Sequence, residues 1–162
     1  MPEVEDGMCF ACGDKNPISL ALKFEETAEN RVKAEFIPGE YHQGYNGIIH
    51  GGLTATLLDE AMAHVIGFKG IKAFTAELNI RYRKEIEIGE KLEIVGEYKS
   101  SKKSSIANVH YAQAEIFDKE GNLKAQAEAK FIEGWADFNL NLKILIEFYK
   151  EELECREKKH LI

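Results

Sequence analysis

Cysteine is scarce: three residues in 162, too few and odd in number for a disulfide scaffold, which points to reduced thiols in a reducing compartment. Basic charge is scarce as well. Lys and Arg total 21 against 28 Asp and Glu, a net charge of -7, so a nucleic-acid backbone meets no general attraction. DNA and RNA binding are poor first readings, and an anionic ligand has to be met by local basic side chains or backbone donors. Long apolar runs are missing too. None approaches the roughly 20 residues of a membrane span, and Met1 to Asp6 carries acids where a signal peptide carries bases. The chain shows neither a repeat nor a low-complexity linker. These absences together predict a cytoplasmic protein with no membrane span. What remains is ordinary core material, 44% hydrophobic residues, enough for one domain.

Periodicity divides that domain. Ile18 to Glu26 and Arg31 to Ile37 alternate apolar and polar residues and read as a hairpin. Pro38 to Ile49 lacks periodicity and reads as a loop. From Gly52 to Phe68 the pattern turns helical, with Leu53, Leu57, Ala61 and Val65 on one stripe. Four strand-like runs follow, Ala73 to Arg83, Lys91 to Lys99, Ser105 to Phe117 and Leu123 to Ile132, in the order of a meander. Phe138 to Lys159 is again helical in pattern. The expected fold is α+β, an antiparallel sheet wrapped around one central helix, with residues 1–17 as an N-terminal segment, 18–134 as the core and 138–159 as an extra C-terminal helix.

The chemistry concentrates where the loop meets the helix. Gly51 and Gly52 open a strong helical pattern, where backbone N–H groups lack intrahelical acceptors and the helix dipole adds partial positive charge. Such a turn polarises a carbonyl oxygen and lets a ligand approach closely; its bland alternative is a glycine pair that merely turns the chain. At about 100° per residue Asp59 falls at the margin of the apolar arc formed by Leu53, Leu57, Leu58, Ala61, Met62 and Val65, about 20° from Gly52. Glu60 lies about 100° further round and reads as solvent-facing. A carboxylate beside the apolar arc is partly desolvated and so a better base; the competing reading is an edge carboxylate paired with an arginine. Seven residues of helix put Asp59 roughly 10 Å along the axis from Gly52, whereas base, water and carbonyl must meet within about 3 Å. If both serve one reaction, the Gly51 end of one subunit faces Asp59 of another across a two-fold axis, and the catalytic unit is an obligate dimer.

HQGYNGIIHGGLTATLLDEAMAHVIG followed by FTAELNIRYRKEIEIGEKLEI resembles the hotdog-fold acyl-CoA thioesterases of the phenylacetate-pathway and thioesterase-superfamily-member type, over about Cys9 to Gly134. The resemblance implies that the Gly51 N–H polarises a thioester carbonyl, with His50 shaping the turn and Gly52 beside it. It implies that Asp59 activates water or attacks directly, and that Thr75 orients the water or the carboxylate. An upstream Asn or Gln also serves in relatives, a part for which Gln43 and Asn46 are both available. Phosphates of the coenzyme would meet Arg81 and Arg83 and the group Lys102, Lys103 and Ser104, arginine being suited by its planar fork. The lysines also occupy a predicted turn, where charge is expected anyway. The expected partner, beside the acyl-CoA substrate, is a second copy of the chain, a homodimer that pairs further into a dimer of dimers, and no cofactor is expected beyond the coenzyme A of the substrate.

Cys9-Phe10-Ala11-Cys12-Gly13 has the spacing of a zinc knuckle, but a structural zinc takes four ligands and no second CxxC appears, with Cys155 and His42 distant in sequence. No metal is expected. His64, about 140° from Asp59 on the helix, reads as a core or interface histidine. An enoyl hydratase or dehydratase, using His50 and Asp59, and a non-catalytic acyl-CoA-binding module are the competing functions. Leu57, Met62, Phe68 and Phe74 are the candidate lining of an acyl or aryl pocket.

Overall fold

The computed structural model describes residues 7–103 and 107–133. Among them, two strands, β1 (Glu25–Ala28) and β2 (Arg31–Phe36), precede a 3-10 turn over Glu40–His42 and two very short strands, β3 (Gln43–Tyr45) and β4 (Ile48–Ile49). Helix α1 (Gly51–Gly67) follows, then β5 (Ala73–Tyr82), β6 (Leu92–Lys103), β7 (Asn108–Asp118) and β8 (Leu123–Glu133). Six strands form one antiparallel sheet in the order β1-β2-β6-β7-β8-β5, with β3 and β4 pairing separately. The expected helix over 52–68 and the α+β architecture are present, but the meander holds only for β6-β7-β8: β5 pairs with β8 at the far edge of the sheet, so the β5–β6 connection crosses over instead of forming a hairpin.

The sheet curls around α1 because its inner face is built for a helix. Val32, Ala34, Phe36, Ile94, Ala112, Ala114, Ile116, Ala125, Ala127, Ala129 and Phe131 are all buried there. The alternating alanines of β7 and β8 keep that floor low, so Leu57, Leu58, Ala61, Met62 and Val65 of α1 seat on it with almost no exposed surface. Burying a leucine or methionine fully is worth about 1.5–3 kcal/mol. The β7–β8 turn is closed by Asp118, whose Oδ1 accepts the N–H groups of Glu120 and Asn122 at 3.0 and 2.8 Å.

Four further expectations need correction. Ile18 to Phe24 is not a strand of the sheet; only Glu25–Ala28 pairs with β2, and Ile18 is exposed. The alternation is real but serves another purpose. Leu20 and Leu22 donate backbone hydrogen bonds to Phe10 and Ala11, so residues 9–24 fold back on themselves and bury Ala11, Leu20, Leu22 and Phe24 in the main core. The stretch 38–49, read as a loop, contains the 3-10 turn and the β3–β4 hairpin. Lys102 and Lys103 do not sit in a turn, since β6 runs through a bulge at Tyr98 and Ser100 and pairs Lys103 with Asn108. Leu57 and Met62, expected in an acyl pocket, are filled core positions at 0% exposure. The expected helix Phe138 to Lys159 lies outside the described residues, as does Ser104.

Candidate active site

His50 ends β4's approach to the helix and caps it: its extended backbone (φ -66°, ψ 132°) precedes the first helical residue, and its Nδ1 accepts the Gly52 N–H at 2.9 Å. Gly52 is required for that cap, because a Cβ there would stand 2.9 Å from His50 Nδ1. With Gly52 engaged and the Leu53 and Thr54 N–H groups both donating to the His50 carbonyl, the Gly51 N–H is the first-turn donor without an acceptor among the described residues. The turn that carries it, His50 to Gly52, is exposed. Tyr82, at the far end of β5, donates from its hydroxyl to the Gly51 carbonyl at 3.0 Å and so fixes the orientation of that residue. No spacing in the sequence signals this tyrosine.

Two turns along α1, Asp59 faces the start of β5. Thr75 Oγ1 donates to Asp59 Oδ1 at 2.8 Å, and both residues are half-buried. Burial pushes the Asp59 carboxyl above its ordinary range, the Thr75 hydrogen bond pulls it partly back, and the neighbouring charge of Glu60 pushes it up again. Asp59 has no arginine or lysine partner among the described residues of this chain.

Glu60 is not solvent-facing. The folded-back segment 9–24 covers its sector of the helix, leaving its side chain 17% exposed, with Oε1 3.1 Å from His64 Nε2. Burial alone would raise its carboxyl, but the hydrogen bonds from His64, Cys12 and Cys9 together draw it below the ordinary range. His64 is a core histidine, as expected, stacked on Phe24 with ring centroids 4.6 Å apart.

The basic candidates divide. Arg81 and Arg83 flank Tyr82 and are exposed, Arg83 reaching the Gln126 side-chain oxygen through two nitrogens at 3.2 and 3.3 Å. Lys102 and Lys103 lie at the opposite end of the sheet. The ladder pairs Arg81 with Gln126 but Ala73 with Glu133, seven residues along β8 or about 24 Å, and Lys103 pairs with Asn108 at the Glu133 end. Within one chain, then, β5 connects two half-sites: Gly51, Tyr82 and the arginines at its end, Asp59 and Thr75 at its start. Gln43 is committed locally, donating to the Glu40 carbonyl and accepting from the Gly47 N–H. Asn46 sits exposed at the tip of the β3–β4 turn.

A sheet wrapped around one helix, opened by a His-Gly-Gly cap, is the hotdog architecture of a thioesterase. Residues 46–125 match the family model of the thioesterase superfamily. The chain is similar to acyl-coenzyme A thioesterase THEM5 of Mus musculus, 35% identical over 66 residues, 41% of this chain and 27% of that protein. It thus spans about a quarter of the length of that curated relative. Among solved structures, thioesterase superfamily member 2 of Mus musculus superposes with a TM-score of 0.61 at 26% identity, covering 68% of this chain and 86% of the other. A thioesterase protein of Streptococcus pneumoniae solved with coenzyme A superposes with a TM-score of 0.62 at 21% identity, covering 69% and 84%. Among the described residues, no helix is long and apolar enough to cross a membrane.

Proposed function

We propose that this chain hydrolyses an acyl-CoA thioester, in the cytoplasm that its composition suggests, at a site assembled from two copies of itself. The observation that carries the reading is the half-buried Asp59 carboxylate, held by Thr75 rather than neutralised by a cation. Its raised proton affinity suits it to take a proton from water as the oxygen attacks the thioester carbon. The carbonyl oxygen, becoming negative, is stabilised by the Gly51 N–H at the positive end of α1. The C–S bond then breaks, the thiolate of coenzyme A leaves with the proton, and the acid is released. Direct attack by Asp59, through an acyl anhydride that water later opens, uses the same atoms. His50 and Gly52 hold the turn that presents Gly51. No cofactor is needed beyond the coenzyme in the substrate.

Two chains are required because Gly51 and Asp59 of one chain are eight residues of helix apart, about 12 Å. Strand β5 is ten residues long and stands at the edge of the sheet with one side unpaired among the described residues. Antiparallel pairing of β5 with its own copy, centred near Leu78 and Asn79, sets Thr75 of one chain opposite Tyr82 of the other. Each Asp59 then meets the other chain's Gly51 turn, and a further pairing of such dimers gives the tetramer. Arg81 and Arg83, flanking Tyr82, take the phosphates of the coenzyme, with Asn46 at the neighbouring turn. Lys102 and Lys103 contribute only where a second chain brings them to the same ligand. Thiol release measured across aromatic, short, medium and long acyl-CoAs tests the activity and names the substrate. The expected result is turnover of at least one class that Asp59→Asn abolishes; an unchanged rate in that variant removes Asp59 from the reaction. Label found in the Asp59 carboxylate after a single turnover in ¹⁸O water identifies the anhydride route, opened by water at the Asp59 carbonyl; label in the free acid alone fits either chemistry.

A further inference from the structure

The CxxC motif lacks a second CxxC in the sequence, but the fold supplies a donor from elsewhere. Glu60 of α1 lies beneath the Cys9–Gly13 turn, and one ligand atom each from Cys9, Cys12 and Glu60 falls within 4.8 Å of the others, all three residues half-buried. Cys9 Sγ stands 3.8 Å from Glu60 Oε1. Around a tetrahedral zinc, with Zn–S near 2.3 Å and Zn–O near 2.1 Å, such donors sit about 3.5–3.8 Å apart, so modest side-chain rotation closes the set. The turn has the shape the role demands. The Ala11 N–H approaches Cys9 Sγ at 3.3 Å, and Gly13 donates to the Cys9 carbonyl at 2.9 Å. Only glycine fits at 13, where a Cβ would lie 2.4 Å from the Gly7 carbonyl oxygen and 2.6 Å from the Cys9 nitrogen. Glu60 is in turn oriented by His64, whose Nε2 contacts Oε1 at 3.1 Å and whose Nδ1 is buried without a partner. A carboxylate that ligates a metal is itself hydrogen-bonded by an outer group, and His64 fills that place for Glu60.

We propose that Cys9, Cys12 and Glu60 bind one thiophilic divalent cation, zinc by preference, with water in the fourth position, fastening the folded-back segment 9–24 onto α1. The two thiols release their protons to solvent on binding, and the two thiolates and the carboxylate then share the ion's double charge. Glu60 lies about 100° round α1 from Asp59, beneath the Cys9–Gly13 turn and not toward Thr75, so the ion holds that segment and stands apart from the hydrolytic reading.

The full chain, expressed with zinc and purified without chelator, is expected to hold about one zinc by elemental analysis. Cobalt added to the metal-free chain is expected to give thiolate-to-cobalt charge-transfer absorption and tetrahedral d–d bands, displaced by zinc. The double variant Cys9→Ser, Cys12→Ser is expected to lose both, Glu60→Gln to keep the charge-transfer band with cobalt affinity at least tenfold weaker, and Cys155→Ser to bind as the parent does. Substoichiometric zinc with no cobalt spectrum in the parent overturns the proposal. So does metal binding that survives the double variant, or a Cys9–Cys12 disulfide in metal-free protein isolated without oxidant. These are binding readouts, so failure of the thioesterase reading leaves them intact. Should the double variant not fold, the parent and Glu60→Gln still decide.

Discussion

Helix α1 presents neighbouring acids, Asp59 and Glu60, to two different regions of the molecule, and the two carboxyls move in opposite directions. Asp59 faces the start of β5 and meets a single neutral hydroxyl, so burial dominates and its proton affinity rises. Glu60 faces the folded-back N-terminal segment and is at least as enclosed, yet His64 and two thiols donate to it and its proton affinity falls. Burial alone therefore does not make a base. What decides is whether the surroundings solvate the charged form, and the β5 side of the helix leaves that work undone.

The sharpest way to break this contrast is to remove the charge on the β5 side. Asp59→Asn is expected to lower turnover by about a thousandfold, within the range for a general base. Stability moves the other way. A carboxyl with raised proton affinity keeps its proton in the folded chain at pH values where the unfolded chain has released it. Its contribution to stability therefore falls as pH rises through the window above the ordinary aspartate range. Asn carries no such penalty, so melting at pH 7 is expected at the parent's temperature or above, with the advantage shrinking toward acid pH. A marked loss of melting temperature at pH 7 contradicts the desolvated carboxylate.

Gly51→Pro tests the other half-site and the two-chain arrangement together. Position 51 is the first residue of α1, where proline is tolerated, and His50 already has the extended backbone that a following proline requires. A Cβ there meets the Tyr82 ring at an ordinary 3.7 Å. The variant is expected to fold and to lose about a hundredfold in turnover with the N–H. Unfolding Asp59→Asn and Gly51→Pro chains together and refolding the mixture is the decisive arrangement. Half the dimers formed are mixed, and each has one intact site, so about a quarter of parent activity returns by that statistics. No recovery means that each chain carries its own complete site.

Thr75→Ala removes the one side-chain donor to Asp59 among the described residues. The carboxyl is then expected to hold its proton to higher pH still, so the acid limb of kcat/KM moves upward. The rate at the optimum falls about tenfold, the worth of a hydrogen bond to a charged group. A lower rate with an unmoved acid limb would mean that Thr75 orients the water and not the carboxylate.

The sequence carried the central features because they are local. The helical stripe, its His-Gly-Gly opening and the margin position of Asp59 all follow from spacings within one element, whereas Thr75, on the next strand, is legible only through the family resemblance. What escaped is non-local. Glu60 was misread because its covering segment arrives from 51 residues away, and a helical wheel knows nothing of what is laid on it. The β3–β4 hairpin has strands of three and two residues, too short to show a period. Lys102 and Lys103 extend β6 past a bulge on exposed positions, where composition reads as turn. Leu57 and Met62 fill the core and line no pocket, a difference that apolar spacing cannot show, since a pocket wall and a filled core carry the same pattern.

Tyr82 is the residue that spacing could not have found, and its removal is the smallest expected effect. Its hydroxyl donates to the Gly51 carbonyl from an exposed position on β5, so it orients the oxyanion donor without touching the reacting atoms. An exposed neutral hydrogen bond is worth about 0.5–1.5 kcal/mol, which bounds the loss in kcat for Tyr82→Phe at about two- to tenfold. The loss is expected in kcat with KM nearly unchanged, because the ring itself and the flanking arginines remain to hold the coenzyme. It is also expected to vanish in the Gly51→Pro background, where no N–H is left to aim. An undiminished effect in that background would show that Tyr82 acts on the substrate directly, making the Gly51 end of β5 a binding surface as well as an electrostatic one.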